Sequence, residues 1–193
     1  MAAGVVAPDA GEILFDGRRI DRLRPDQVCA AGVGRTFQVV KPFAGLSVLD
    51  NVIVGALQAE RRVAQSRRRA LDILEQLNLR AKQDLPASSL TLPDRKRLEV
   101  ARALATGPRL LLLDEVMAGL RPTECDQMVE VFRELNRGGL TILLIEHVMR
   151  AVMALARHVV VLHHGEIIAQ GAPEQVVRDP AVLECYLGEE TEL

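Results

Sequence analysis

Two short, continuous hydrophobic runs in the second half of the chain define its predicted core. They cover residues 110–113 and 140–145, and neither contains a charged position. Runs of this length are typical of parallel strands that are covered on both faces. Each run ends on polar side chains: Asp114-Glu115 after the first and Glu146-His147 after the second. Because parallel strands end at the same edge of a sheet, the pattern predicts an open α/β sheet with these groups at one edge.

The remaining pattern predicts helices and short hairpins around that sheet. An Asp16-Gly17 turn between two short runs is a strong hairpin signal, and a second hairpin is predicted near the C-terminus. Residues 33–40 are predicted to form a strand that runs into a loop. Apolar residues at helical spacing predict helices at 46–57, 71–79, 95–105, from Pro122 to about 137, and 151–157.

Composition narrows the class of protein. The chain has 193 residues, 49% of them hydrophobic, which is enough for a packed core. The formal net charge of −2 gives no electrostatic argument for nucleic acid or acidic lipid. An arginine-rich stretch at 58–69 could form a basic patch, but the absence of interleaved aromatic residues favours a solvated helix face. The three cysteines match no metal-ligand spacing, which favours a reduced, cytosolic setting.

The polar ends of the two hydrophobic runs carry the candidate chemistry. An apolar strand that ends in aspartate is the Walker B pattern, in which Asp114 helps to hold magnesium on nucleotide phosphates. Glu115 faces a different direction and can polarise an attacking water. By itself, the run fits Walker B and an ordinary buried strand followed by a polar loop equally well. Together with these acids, His147 is predicted to be a functional histidine.

A phosphate-binding P-loop is missing from the sequence. Residues 32–36, Gly-Val-Gly-Arg-Thr, superficially resemble the end of one, but Arg35 stands where lysine is needed and Cys29 occupies the first glycine position. Thr36 also leads into Phe37-Gln38 and not into a helix. No other segment of the sequence fits the pattern.

In this order, the motifs resemble the ATPase subunit of an ATP-binding cassette (ABC) transporter, most like the branched-chain amino acid uptake branch. The resemblance covers nearly all of the chain and rests on five motifs with fitting intervals. They are the Q-loop at Phe37-Gln38, the signature and its helix at 90–104, Walker B with the catalytic glutamate at 110–115, the D-loop at 118–122, and the switch histidine at His147.

The resemblance implies a P-loop NTPase-like α/β fold with a mostly parallel sheet flanked by helices. One ABC ATPase-type domain, N-terminally incomplete, would cover residues 1–193. Within it, a helical signature subdomain would lie at 45–105, beside an incomplete antiparallel β part. The implied partners are a second ATPase subunit and integral membrane permease subunits, docked on about 46–104, with no nucleic acid. The chain would lie on the cytoplasmic face of the membrane and contact it only through the permease.

The resemblance also implies ATP and Mg²⁺ as cofactors and a role for each motif residue. Asp114 and Gln38 would hold magnesium, and Glu115 would polarise the attacking water. His147 would hold the γ-phosphate of ATP. Gln38 and Thr91 would contact the nucleotide, Thr91 by reaching across a dimer.

Three departures from the family pattern carry further expectations. The family's P-loop should lie upstream of Glu12, so we expect an N-terminally truncated chain that alone binds ATP poorly and turns over little or none. The signature Leu-Ser-Gly-Gly-Gln is replaced by Leu-Thr-Leu-Pro-Asp at 90–94. Asp94 is expected to repel phosphate if ionised, unless it caps the helix, and the weakened signature suggests an asymmetric pair of subunits. Arg121 replaces the usual D-loop aspartate, which puts that cross-dimer contact in doubt.

Three functions remain open from the sequence. The first is the ATP-hydrolysing subunit of an importer for branched-chain amino acids or related small solutes. The second is a truncated, non-hydrolysing regulatory or interaction module that retains the dimer and permease surfaces. The third, a cassette ATPase acting on DNA, is disfavoured because sustained heptads for a long coiled coil do not occur.

Overall fold

The computed structural model describes residues 1–37, 41–60 and 62–189. Contacts within the chain form two compact units, Met1–Ile145 and Glu146–Leu193. The first unit contains β1 (Leu14–Phe15), β2 (Arg18–Arg19), α1 (Pro25–Ala30), β3 (Val33–Arg35), α2 (Val48–Ala56), α3 (Val63–Gln76), α4 (Leu92–Ala105), β4 (Leu110–Asp114), α5 (Pro122–Arg137) and β5 (Thr141–Ile145). Single 3₁₀ turns lie at Arg80–Lys82 and Ala87–Ser89.

The parallel sheet predicted from the two hydrophobic runs is confirmed. Its strand order is β3-β4-β5, and both pairs are parallel. Asp114 at the end of β4 is the register partner of Ile145 at the end of β5. The strand predicted at 33–40 is shorter than expected: Thr36 and Phe37 follow it without strand structure, and residues 38–40 lie outside the described part of the chain.

The prediction that both hydrophobic strands are buried holds for β4 but is wrong for β5. One face of the sheet is covered and includes the buried Leu111 and Leu113 of β4. On the other face, β4 packs against a small cluster around Ile20, Val28 and Val33. That cluster does not extend over β5, where Leu143 is 53% and Ile145 59% exposed.

Three helices between β3 and β4 pack on one another. Helices α2, α3 and α4 contact each other pairwise, with Val48, Val52 and Leu74 fully buried among their apolar positions. Ser47 caps α2 as predicted, since its hydroxyl accepts a hydrogen bond from the Asp50 amide at 3.0 Å. The assignment of 45–105 as a separate subdomain stays a prediction.

The second unit contains α6 (Met149–Leu155), β6 (Val159–His163), β7 (Glu166–Gly171), α7 (Pro173–Val176) and α8 (Pro180–Glu189). Strands β6 and β7 form the predicted antiparallel hairpin, with a register shift between Val161 and Leu162. The turn is shorter than expected, because His163 belongs to β6 and His164-Gly165 alone make the tight connection at positive φ. None of the described helices is long and apolar enough to cross a membrane.

Candidate functional site

Asp114 lies at the carboxyl end of β4, where an open α/β sheet binds its ligands. The Arg35 guanidinium donates a hydrogen bond to its carboxylate at 3.3 Å, and the Asp114 amide donates to the Thr36 hydroxyl at 3.2 Å. The carboxylate is 26% exposed and therefore open to a ligand. Carboxylate oxygen is the ligand type that Mg²⁺ prefers, so Asp114 fits the proposed metal, which would share the carboxylate with Arg35.

Glu115 is the first residue beyond the edge of the sheet, and its backbone is left-handed, with φ of 47°. Its amide donates a hydrogen bond to the Ile145 carbonyl at 2.9 Å. Its own carbonyl accepts a hydrogen bond from the Lys96 ammonium of α4 at 3.0 Å. Both backbone polar groups of Glu115 are therefore held, one by β5 and one by α4.

The degenerate signature forms the first turn of α4, which begins three residues earlier than predicted. Thr91 is the N-cap, and its hydroxyl donates a hydrogen bond to the Asp94 carboxylate at 2.8 Å. Asp94 is buried and also accepts a hydrogen bond from the Lys82 ammonium, with Arg97 3.9 Å away. Burial raises the pKa of Asp94, but the hydrogen bonds from Lys82 and Thr91 and the two positive charges outweigh it, and the pKa lies below its ordinary value.

These contacts bear on both expectations for Asp94. No side-chain hydrogen bond caps the described start of α4, and the Asp94 carboxylate bonds instead to the side chains of Thr91 and Lys82. The carboxylate is ionised, and the positive charges of Lys82 and Arg97 neutralise it. Its repulsion of a phosphate is therefore largely offset. Lys82 lies twelve residues before Asp94, so helical periodicity could not reveal the pair.

The D-loop, residues 118–122, contacts the first turn of α4. A β-carbon added to Gly119, which has φ of 77°, would lie 3.2 Å from the Leu92 side chain. The close approach of Leu92 therefore favours glycine there. Arg121 is the N-cap of α5, and its amide donates to the Glu124 carboxylate at 2.8 Å. The position where the family has aspartate thus serves helix capping here.

Gln38 lies outside the described residues, but α4 holds both flanks of its segment. Glu99 accepts a backbone hydrogen bond from Phe37. Arg102 donates to the Lys41 carbonyl at 3.1 Å and to Glu99 at 3.0 Å. The sequence pattern did not single out Glu99 and Arg102, although they lie three residues apart on the signature helix, a spacing that allows an ion pair.

His147 belongs to the second unit, so its place beside Asp114 and Glu115 stays a prediction. Among the described residues, no group of three or more histidine, cysteine, aspartate or glutamate side chains could hold a metal ion. A site with one carboxylate suits Mg²⁺, which is usually bound through one or two carboxylates together with substrate phosphates.

Comparison with known proteins identifies the family. A family model described as ABC transporter matches residues 1–118, and one described as branched-chain amino acid ATP-binding cassette transporter matches residues 166–192. The chain is 37% identical to the high-affinity branched-chain amino acid transport ATP-binding protein LivG of Escherichia coli, over 96% of this chain and 79% of LivG.

Two further relatives extend the comparison. The lipopolysaccharide export system ATP-binding protein LptB of Acidithiobacillus ferridurans is 32% identical over 100% of this chain and 80% of LptB. A crystal structure of the ADP conformation of an ATP-binding cassette of an ABC transporter superposes with a TM-score of 0.86 at 30% identity, over 97% of this chain and 80% of that one. The P-loop NTPase-like fold follows from this likeness. The chain therefore belongs to the ABC transporter family, as an ATP-binding subunit.

Proposed function

We propose that this chain is the ATP-hydrolysing subunit of an importer for branched-chain amino acids or related small solutes. The observation that carries hydrolysis is the Asp114-Glu115 pair at the carboxyl end of β4 in a parallel sheet. The observation that favours this class of solute is the match of residues 166–192 to the branched-chain amino acid family model, together with the likeness to LivG.

Each site residue has a proposed role in ATP hydrolysis. Asp114 and Gln38 hold Mg²⁺, which when bound neutralises charge on the phosphates. Glu115 orients the attacking water and accepts its proton, and His147 donates a hydrogen bond to the γ-phosphate. Thr91, at the exposed start of α4, reaches the nucleotide held by a second ATPase subunit. Arg35 orients the Asp114 carboxylate through the hydrogen bond that it donates.

The helical region offers an apolar surface for the proposed permease. Large hydrophobic side chains are exposed around the start and outer face of α2: Phe43, Leu46, Val54, Leu57 and Leu85. The buried Asn51 holds Phe43 beside α2 through both of its backbone groups, and a bridge between Ser47 and Pro86 brings the neighbours of Leu46 and Leu85 together. Exposed patches of this kind mark interaction sites, and we assign this one to a permease, which would bring the chain to the membrane.

The missing P-loop favours a second candidate, a non-hydrolysing module that retains the partner surfaces. The sequence contains no Gly-x-x-x-x-Gly-Lys-Ser/Thr segment, so the β- and γ-phosphates lack their usual backbone cradle. The two candidates differ in whether Glu115 matters for transport.

Glu115→Gln separates these candidates in cells. The gene is deleted from its host, together with the DNA that precedes codon 1, and the same stretch is restored as wild type, as Glu115→Gln, or as the control Glu130→Gln on the exposed face of α5. Uptake of radiolabelled leucine is then measured. We expect wild type and control to restore uptake and Glu115→Gln to lower it by at least about a hundredfold, because the general base is lost. Full restoration by Glu115→Gln would support the non-hydrolysing module. Unchanged leucine uptake after deletion, with altered surface lipopolysaccharide, would instead indicate an export function like that of LptB.

A further inference from the structure

Helix α4 contacts the segment after β4 through two residues one helical turn apart. Leu92 packs against Gly119, and Lys96 reaches the carbonyl of Glu115 at 3.0 Å. Lys96 is only 6% exposed. Within the described part of the chain, no carboxylate forms an ion pair with Lys96. A buried ammonium group is unfavourable unless it is hydrogen-bonded, so this single backbone contact needs an explanation.

The residue that Lys96 contacts has an unusual backbone. A positive φ is uncommon outside glycine, and among non-glycine residues asparagine and aspartate adopt it far more readily than glutamate. Glu115 has φ of 47°, with its amide bonded to Ile145 and its carbonyl bonded to Lys96. Such conformations persist where the surrounding structure holds them in place, and they concentrate at functional sites.

We propose that Lys96 is a positioning residue for Glu115. Its ammonium group holds the Glu115 carbonyl in the left-handed conformation, and this sets the direction in which the carboxylate leaves the end of β4. The signature helix thereby orients the glutamate of its own subunit. The effect on hydrolysis rests on the proposed function, whereas the effect on the backbone of residue 115 does not.

The neighbouring cations of α4 do not share this contact. Arg97 donates to Gln127 of α5 at 2.6 Å and lies 3.9 Å from Asp94. Arg102 is bonded to Glu99 and Lys41. Arg97 is therefore a matched control, because its removal breaks another contact between α4 and the β4–α5 region but leaves the Glu115 carbonyl bonded.

The test is nuclear magnetic resonance of the isotopically labelled full chain. The three-bond amide–α-proton coupling and the Cα chemical shift of residue 115 report its φ. We expect Lys96→Met to move these signals from left-handed to negative-φ values. Arg97→Met should leave them unchanged, and Lys96→Arg should restore them, because it keeps a donor at similar reach. Left-handed values retained in Lys96→Met would overturn the proposal.

A second measurement covers the case in which Lys96→Met does not fold. Glycine adopts positive φ without strain, so Glu115→Gly removes the need for the contact. We expect the melting temperature lost in Lys96→Met to be largely regained in the double variant with Glu115→Gly. Equal losses in both backgrounds would show that Lys96 stabilises the fold without acting on residue 115.

An uptake assay separates this proposal from the proposed function. If Glu115 is the general base, Lys96→Met should lower the maximal rate of leucine uptake by about tenfold or more at an unchanged half-saturation concentration. A changed signal at residue 115 with normal uptake would contradict the role of Glu115 and leave the positioning intact. Unchanged signals would contradict the positioning whatever the uptake.

Discussion

Asp94 shows how one side chain can depart from a family motif and still fit its site. The residue stands where glutamine is usual, and it is buried with Thr91, Lys82 and Arg97 around its carboxylate. An unpaired buried carboxylate would be strongly unfavourable, so the substitution is tolerated because Lys82 accompanies it. The two positions are therefore one unit, although twelve residues separate them.

The Asp94–Lys82 pair gives the first stability prediction. Lys82→Met should lower the free energy of unfolding by about 1–3 kcal/mol at neutral pH, because a buried charged acceptor loses a hydrogen bond. Urea denaturation measures this, with Lys41→Met as control, since the Lys41 side chain has no such partner among the described contacts. A loss no larger than that of the control would contradict the importance of the pair.

The pH dependence of this stability has a definite sign. The pKa of Asp94 lies below its ordinary value of 3.8, so the folded protein holds fewer protons there than the unfolded chain. The stabilisation is present above about pH 4 and is lost as pH falls through the folded pKa. In Lys82→Met this acid-dependent loss of stability should be smaller.

Glu99 has the opposite pH dependence. Burial raises its pKa above the ordinary value of 4.5, so its contribution to folding stability is largest below that value and is lost as pH rises through the folded pKa.

At the scale of elements, α4 connects most parts of the candidate site. Asp94 contacts the N-cap residue Thr91, and Lys96 contacts the Glu115 carbonyl. Glu99 and Arg102 contact the two flanks of the Gln38 segment. Hydrophobic periodicity identified the helix and its apolar stripe. It could not identify the contacts of Lys96, Glu99 and Arg102 outside α4, because they join residues far apart in sequence.

The same limit explains which strands and ends were predicted correctly. The continuous hydrophobic runs predict β4 and β5, and their parallel register places Asp114 at the edge as expected. The exposure of Leu143 and Ile145 was not foreseen, since a continuous apolar run does not show how far the covering cluster extends. The helix α4 begins at Leu92, three residues before the predicted start, and Pro93 is accommodated in its first turn, where no intrahelical amide donor is needed.

The apolar surface around α2 gives a prediction at this scale. Leu46→Asp and Leu85→Asp place charge on the exposed side chains proposed to contact the permease. Both should reduce recovery of the permease with a tagged chain from detergent extracts by about tenfold or more, because each charge would be buried unpaired at the interface. Leu162→Asp is the control, since Leu162 is 67% exposed on the C-terminal hairpin. A loss of the permease with the control alone would place the docking surface on the second unit.

At the scale of the whole molecule, the chain combines the late motifs of an ABC ATPase with no P-loop in its sequence. Walker B and the signature lie on β4 and α4, and the Lys96–Glu115 hydrogen bond and the Leu92–Gly119 contact join them. These contacts join the two motifs to each other, whereas nucleotide binding needs phosphate-binding amides in addition.

The 193 residues contain no Gly-x-x-x-x-Gly-Lys-Ser/Thr segment, which predicts weak binding of ATP by this chain alone. A P-loop donates hydrogen bonds from its lysine and its backbone amides to the phosphates of ATP. Two such charge-assisted hydrogen bonds contribute about 3 kcal/mol or more, so their absence should weaken ATP binding by at least about a hundredfold. Isothermal titration with Mg²⁺ and ATP would compare the chain with a version preceded by a Gly-x-x-x-x-Gly-Lys-Ser/Thr segment joined before Glu12. We expect weak binding by the chain alone and a gain of at least about a hundredfold in the extended version, which Asp114→Asn should reverse if Asp114 holds the metal. Micromolar binding by the chain alone would instead mean that the groups at the end of β4 suffice to hold the nucleotide.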